Sequence, residues 1–108
     1  MSGVFPDREK AFEDKWAHDE ELRFKVLARR NKLLGLWAAA EMGLKGPEAD
    51  KYARVVVEAE LSKEGDEAVF QKLKADFAAA KVARTDHLIH VKMDELLQTA
   101  KAEIMAGG

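Results

Sequence analysis

Apolar residues recur along most of this chain at intervals of three and four, the spacing that lines up side chains on one face of a helix. No segment makes a convincing strand. The densest pattern lies in residues 22–42, with Leu22, Val26, Leu27, Leu33, Leu34, Leu36 and Trp37. A second stretch, about 47–62, carries Tyr52, Val55, Val56, Ala59 and Leu61 on one side. Its Val55-Val56-Val57 run has strand propensity, but the surrounding Glu, Ala and Lys favour helix. A third, about 67–83, holds Val69, Phe70, Leu73 and Phe77, and a fourth, about 86–105, holds Leu88, Ile89, Met93, Leu96, Leu97, Ala100 and Ile104. Gly43, Gly46 and Pro47 mark the first break, Glu64-Gly65-Asp66 the second, and Thr85-Asp86 the third. Gly past a helix end, Pro at a first helical position, and Asp66 or Thr85 as an N-cap give each break a mechanism. Short connections favour helices that fold back on their neighbours. The expected fold is all-α: a four-helix bundle with a mobile or extended N-terminal arm.

The arm follows from lengths. One helix from Asp7 to Met42 would have 36 residues and a length of ~54 Å at ~1.5 Å per residue. The other helices, at roughly 25–30 Å, can flank only its last 20 residues or so. Residues 7–21 offer Phe12 and Trp16 as apolar groups, while ten of their fifteen positions are charged. A free helix of that kind is marginal in water, so residues 1 to about 20 are expected to project beyond the bundle, frayed until something binds them. Phe5, Phe12 and Trp16 fall along one side of a helix, and Arg8, Glu9, Lys10, Glu13, Asp14 and Lys15 surround that stripe with both signs of charge. Aromatic anchors with a charged rim suit recognition of a helix by a groove. The plainer alternative is that Phe12 and Trp16 close the end of the bundle.

Composition narrows the function. The 108 residues carry a formal net charge of −2, which argues against a dedicated nucleic-acid binder. The absence of cysteine excludes disulfides and thiolate chemistry. The start MSGVFPDREK lacks the apolar core of a signal peptide and no apolar run could span a bilayer, so a cytoplasmic protein is expected. Ser2 and Ser62 sit in no nucleophile motif, and no residue is nominated as catalytic. His87, His90 and Asp94 share a helical face, but one helix cannot close a metal sphere, and packed or exposed histidines are the preferred reading. Arg23, Lys25, Arg29, Arg30 and Lys32 put five cations in ten residues. They form a candidate phosphate-binding patch, for nucleotide or nucleic acid, or a solvated helix face.

The tract DREKAFEDKWAHDEELRFKVLARRNKLLGLWAA (residues 7–39), above all RFKVLARRNKLLGLWAA (Arg23–Ala39), together with GDEAVFQKL (Gly65–Leu73) and EMGLKGPEADKYA (Glu41–Ala53), resembles the zeta subunit of alphaproteobacterial F1Fo-ATP synthases. The resemblance implies a four-helix protein whose N-terminal segment enters a catalytic α/β interface of F1 against the γ rotor and blocks rotation in the direction of ATP hydrolysis. Carried onto this chain, it makes residues 1–19 the inhibitory arm and residues 20–106 the four-helix core, with Phe5, Phe12 and Trp16 the apolar anchors and Arg8, Glu9, Glu13 and Lys15 the polar contacts to F1. It also implies a nucleotide contact for weak ATP or ADP binding at Arg23–Lys32, no enzymatic activity, a free monomer, and a place at the inner membrane only through F1. The alternative is a helical nucleotide-binding sensor that does not itself inhibit.

Overall fold

The computed structural model describes residues 7–107, without the side chains of Asp7 and Arg8. Among the described residues the chain forms five helices: α1 (Asp7–His18), α2 (Glu20–Glu41), α3 (Pro47–Ala59), α4 (Asp66–Ala79) and α5 (Asp86–Met105). The single long first helix is thereby corrected. It breaks at Asp19, whose extended backbone (φ −102°, ψ 106°) and side chain, accepting from the Leu22 amide at 3.0 Å, cap a new helix. Asp is among the strongest N-caps, and Glu20 and Glu21 place negative charge at the positive end of α2. The backbone bonds Asp19 N–H to Lys15 carbonyl (2.8 Å) and Arg23 N–H to Asp19 carbonyl (3.0 Å) carry the chain across the break with little slack. Residues 7–18, where charge density argues for a frayed arm, are helical.

The later breaks lie where the glycines and Thr85 put them. At the end of α2, Gly43 takes φ 81°, and the amides of Gly43 and Leu44 turn back to the Ala40 and Ala39 carbonyls at 3.1 and 2.8 Å. This is a Schellman closure, which needs a left-handed residue. The end of α4 closes the same way without a glycine: Lys81 has φ 61°, and the Lys81 and Val82 amides reach the Ala78 and Phe77 carbonyls at 3.1 and 2.9 Å. Thr85 caps α5 through the Leu88 amide at 3.0 Å. Asp66 is not the cap of α4. Gly65 holds that position, because the Asp66 carboxylate is drawn instead to Arg30.

Helix α2 is the spine and packs chiefly on α3 and α5. The core joins Val26, Leu34 and Ala38 of α2 to Val56 of α3, Val69, Phe70, Leu73 and Phe77 of α4, and Ile89 and Met93 of α5. Trp37 meets the Phe77 ring edge-on at 5.7 Å between centroids. Close approach of α2 to α3 depends on Gly35, where an added Cβ would lie 2.6 Å from the Ala53 Cα. In α3 the predicted face is only half right. Val56 is buried, but Val55 and, just beyond the helix, Leu61 are exposed, as is Phe24 of α2. The radius of gyration is 15.2 Å with extents of 49 × 28 × 26 Å, against about 13 Å for a compact chain of this length. The molecule is elongated because α1 stands at one end of the bundle, touching α2 and the last turns of α5.

Candidate functional site

Of the predicted N-terminal site, Phe5 and the Arg8 side chain lie outside the described residues. Phe12 and Trp16, one turn apart on α1, are both half-buried, whereas Glu9, Glu13 and Lys15 are exposed. The two aromatics face inward. Phe12 borders a shallow cleft with Gln98, Lys101, Ala102 and Met105 of α5. The Lys101 ammonium sits 4.4 Å from the centre of the Trp16 ring, and the Arg23 guanidinium lies 5.9 Å from it. Lys101 also pairs with Glu13 at 3.5 Å. A cation over a partly exposed indole contributes about 0.5–1 kcal/mol, and an exposed ion pair about 0–1 kcal/mol. Helix α1 is therefore docked on α5 by a small set of weak contacts. The plainer reading of the stripe describes what is seen, since the aromatics close the end of the bundle, and few contacts hold their helix there.

The basic run does not form one patch. Lys25, Arg29 and Lys32 share one edge of α2, while Arg23 and Arg30 turn elsewhere. Arg23 leans on Trp16, Arg29 pairs with Glu103 at 3.1 Å, and Lys25 and Lys32 are exposed. Arg30 is 1% exposed and engaged inside the protein: its guanidinium donates to Asn31 Oδ1 at 2.6 Å, Glu60 Oε1 at 3.2 Å and Asp66 Oδ1 at 2.5 Å. Asn31 Nδ2 also donates to Glu60 Oε1 at 2.9 Å. One arginine thus ties the middle of α2 to the end of α3 and the start of α4. Sequence reasoning missed this knot, although helical spacing placed Arg30 between Val26 and Leu34 on the buried stripe of α2. Burial pushes the Glu60 carboxyl above the usual carboxylate range, and the neighbouring Asp66 adds to that, while Asn31 and Arg30 pull the other way.

A second tie joins α3 to α4, where the Tyr52 hydroxyl donates to Asp76 Oδ2 at 2.7 Å. Burial, then the hydrogen bond and charge of Asp76, raise the phenol well above its ordinary range. On α5, His90 stacks on Phe70 with ring centroids 4.1 Å apart and planes 15° apart, as the packed-histidine reading has it. Among the described residues no group of three or more His, Asp or Glu could hold a metal ion. No helix among them is long and apolar enough to cross a membrane. In comparison with known proteins, no curated protein matches the chain, while the family model described as ATPase inhibitor subunit zeta matches residues 1–103.

Proposed function

The chain belongs to the ATPase inhibitor subunit zeta family, and from that premise we propose that it acts as a regulator of F1 through α1 and the residues before it. In this reading the N-terminal segment leaves α5, enters a catalytic α/β interface against γ, and stops rotation in the direction of ATP hydrolysis. The body stays outside and needs no chemistry of its own, so the protein is a regulator rather than an enzyme, and it meets the membrane only through F1. One observation supports this above the rest. Helix α1 is a separate amphipathic element, joined through the capped break at Asp19 and held mainly by Lys101.

The physics of transfer is favourable. Undocking α1 gives up contacts of about 1–2 kcal/mol in sum and half-exposes two aromatic side chains. Burying Phe12 and Trp16 in a dry interface recovers about 25 cal/mol per Å² of apolar surface. Because α1 is already helical, less ordering is left for the moment of binding than a disordered segment would carry. Lys15 is exposed on α1 and placed to make a polar contact with F1, and Glu9 and Glu13, which border the cleft against α5, are released for such contacts once α1 undocks. Of the five cations that the nucleotide-sensor alternative would use, Arg30 is committed to Glu60 and Asp66.

The test is ATP hydrolysis by F1 titrated with the full chain and with the Phe12→Ala/Trp16→Ala variant. Inhibition by the first, weakened by at least about tenfold in the second as for truncated aromatic anchors, supports the reading. Equal inhibition by both would move the inhibitory contact elsewhere on the molecule.

A further inference from the structure

A shallow trough runs along the outer seam of α2 and α3. Its floor is apolar: Phe24, Ala28, Val57 and Leu61, with Ile104 of α5 closing one side; Glu20, Arg23 and Glu60 line the end near the start of α2, and the stretch beside Ile104 carries only cations. Phe24 is 57% exposed and Leu61 67%. A single exposed apolar residue needs no explanation, but two large ones on the same concave strip mark an interaction surface. The charge on the two rims differs. The α2 rim carries Lys25, Arg29 and Lys32, at intervals of four and three. Arg29 is paired with Glu103, while among the described residues neither Lys25 nor Lys32 makes an ion pair. The α3 rim is mixed, with Asp50, Arg54 and Glu58.

We infer that this trough docks an acidic amphipathic helix of F1, distinct from the interface that takes α1; the inference rests on the proposed inhibitory function. The occupant is fixed by charge and spacing. Lys25 and Lys32 are seven residues apart on one helix, about 10.5 Å at ~1.5 Å per residue. A partner helix lying along the seam with carboxylates two turns apart would meet both and lay its apolar stripe on Phe24 and Val57. The mixed α3 rim repels a second row of carboxylates, so the acidic edge turns towards α2. Two weak attachments in one molecule act together. With the body docked, α1 reaches its site at a high effective concentration, which raises overall affinity without any new contact by α1.

The experiment is a binding titration of the full chain against F1 at low and moderate salt. The proteins are wild type, Phe24→Ser, Lys25→Glu/Lys32→Glu and, as a control for the arm, Trp16→Ala. All three surface positions are exposed, and thermal unfolding should put each variant within about 2 °C of wild type, as for ordinary surface substitutions. The expected result is that Phe24→Ser weakens binding about tenfold. The charge-reversed pair does the same and loses most of the salt dependence. If both surface variants bind like wild type while Trp16→Ala is weakened, the trough is no docking site and the inhibitory reading stands. If wild type does not bind F1, both fall together. Self-association of wild type, or binding to anionic phosphatidylglycerol vesicles, that Phe24→Ser abolishes with F1 binding intact would assign the trough to a second copy or to lipid, and overturn the inference.

Discussion

Arg30 shows how one residue can carry different meanings in sequence and in structure. Counted along the chain it belongs to a cationic run; counted by helical turns it lies on the buried side of α2, where it must be paired. Arg30→Met leaves Glu60 and Asn31 without their main partner in a partly buried site, and removal of one member of such a network costs about 3–5 kcal/mol. Denaturant unfolding should show that loss, and a change under about 1 kcal/mol would mean that the knot contributes little. Glu60 gives a pH signature. Its folded-state pKa lies above the ordinary 4.5, so the folded protein holds a proton that the unfolded chain has released. Unfolding free energy from this group therefore falls as pH rises from about 4.5 through the raised value. Glu60→Gln keeps the oxygen that accepts from Arg30 and Asn31 and removes the titration. The difference in stability between wild type and variant should move in the variant's favour as pH rises through that window; a pH-independent difference would contradict the assignment.

Among the elements, helix spans and most breaks were legible because Gly, Pro and Thr act locally. The break at Asp19 was also written locally, as Asp followed by two glutamates; a continuous charged run hides a cap when apolar residues alone are counted. The missed partner of Asp66 was not local, since Arg30 lies 36 residues away. The α2–α3 contact was equally out of reach, because Gly35 in a helical pattern reads as a weak position until Ala53 is seen against it. Gly35→Ala gains up to about 1 kcal/mol of helix propensity but forces backbone apart, and the expected net effect is a loss of about 1–3 kcal/mol. A stabilised Gly35→Ala variant would show that the helices can part cheaply. At the end of α4 the opposite holds. Lys81 pays for a left-handed conformation, and Lys81→Gly should stabilise by roughly 1 kcal/mol, measured by thermal or denaturant unfolding. Lys101→Ala should loosen α1 alone: amide exchange in residues 9–18 is expected to speed up about fivefold, the equivalent of about 1 kcal/mol, while α2 to α5 are unchanged. Unaltered exchange there would mean that Lys101 does not hold the helix.

Taken whole, the molecule is a bundle with a helix mounted at one end, and the two parts are held by different means. The body is fixed by ties between α2, α3 and α4 through Arg30 and Tyr52. The N-terminal helix is fixed by a lysine and two half-buried aromatics. Elements meant to move are drawn from the weakly held parts of a fold, and α1 fits that description. Length set residues 7–18 apart from the bundle in the sequence, whereas charge density argued for fraying; the helix they form and its docking on α5 required the side-chain geometry. Whether inhibition resides in the N-terminal segment is decided by ATP hydrolysis by F1 from an alphaproteobacterium, measured with the full chain and with a chain lacking residues 1–19. Inhibition by the first and none by the second is expected; inhibition that survives the truncation would place the blocking contact in the body instead.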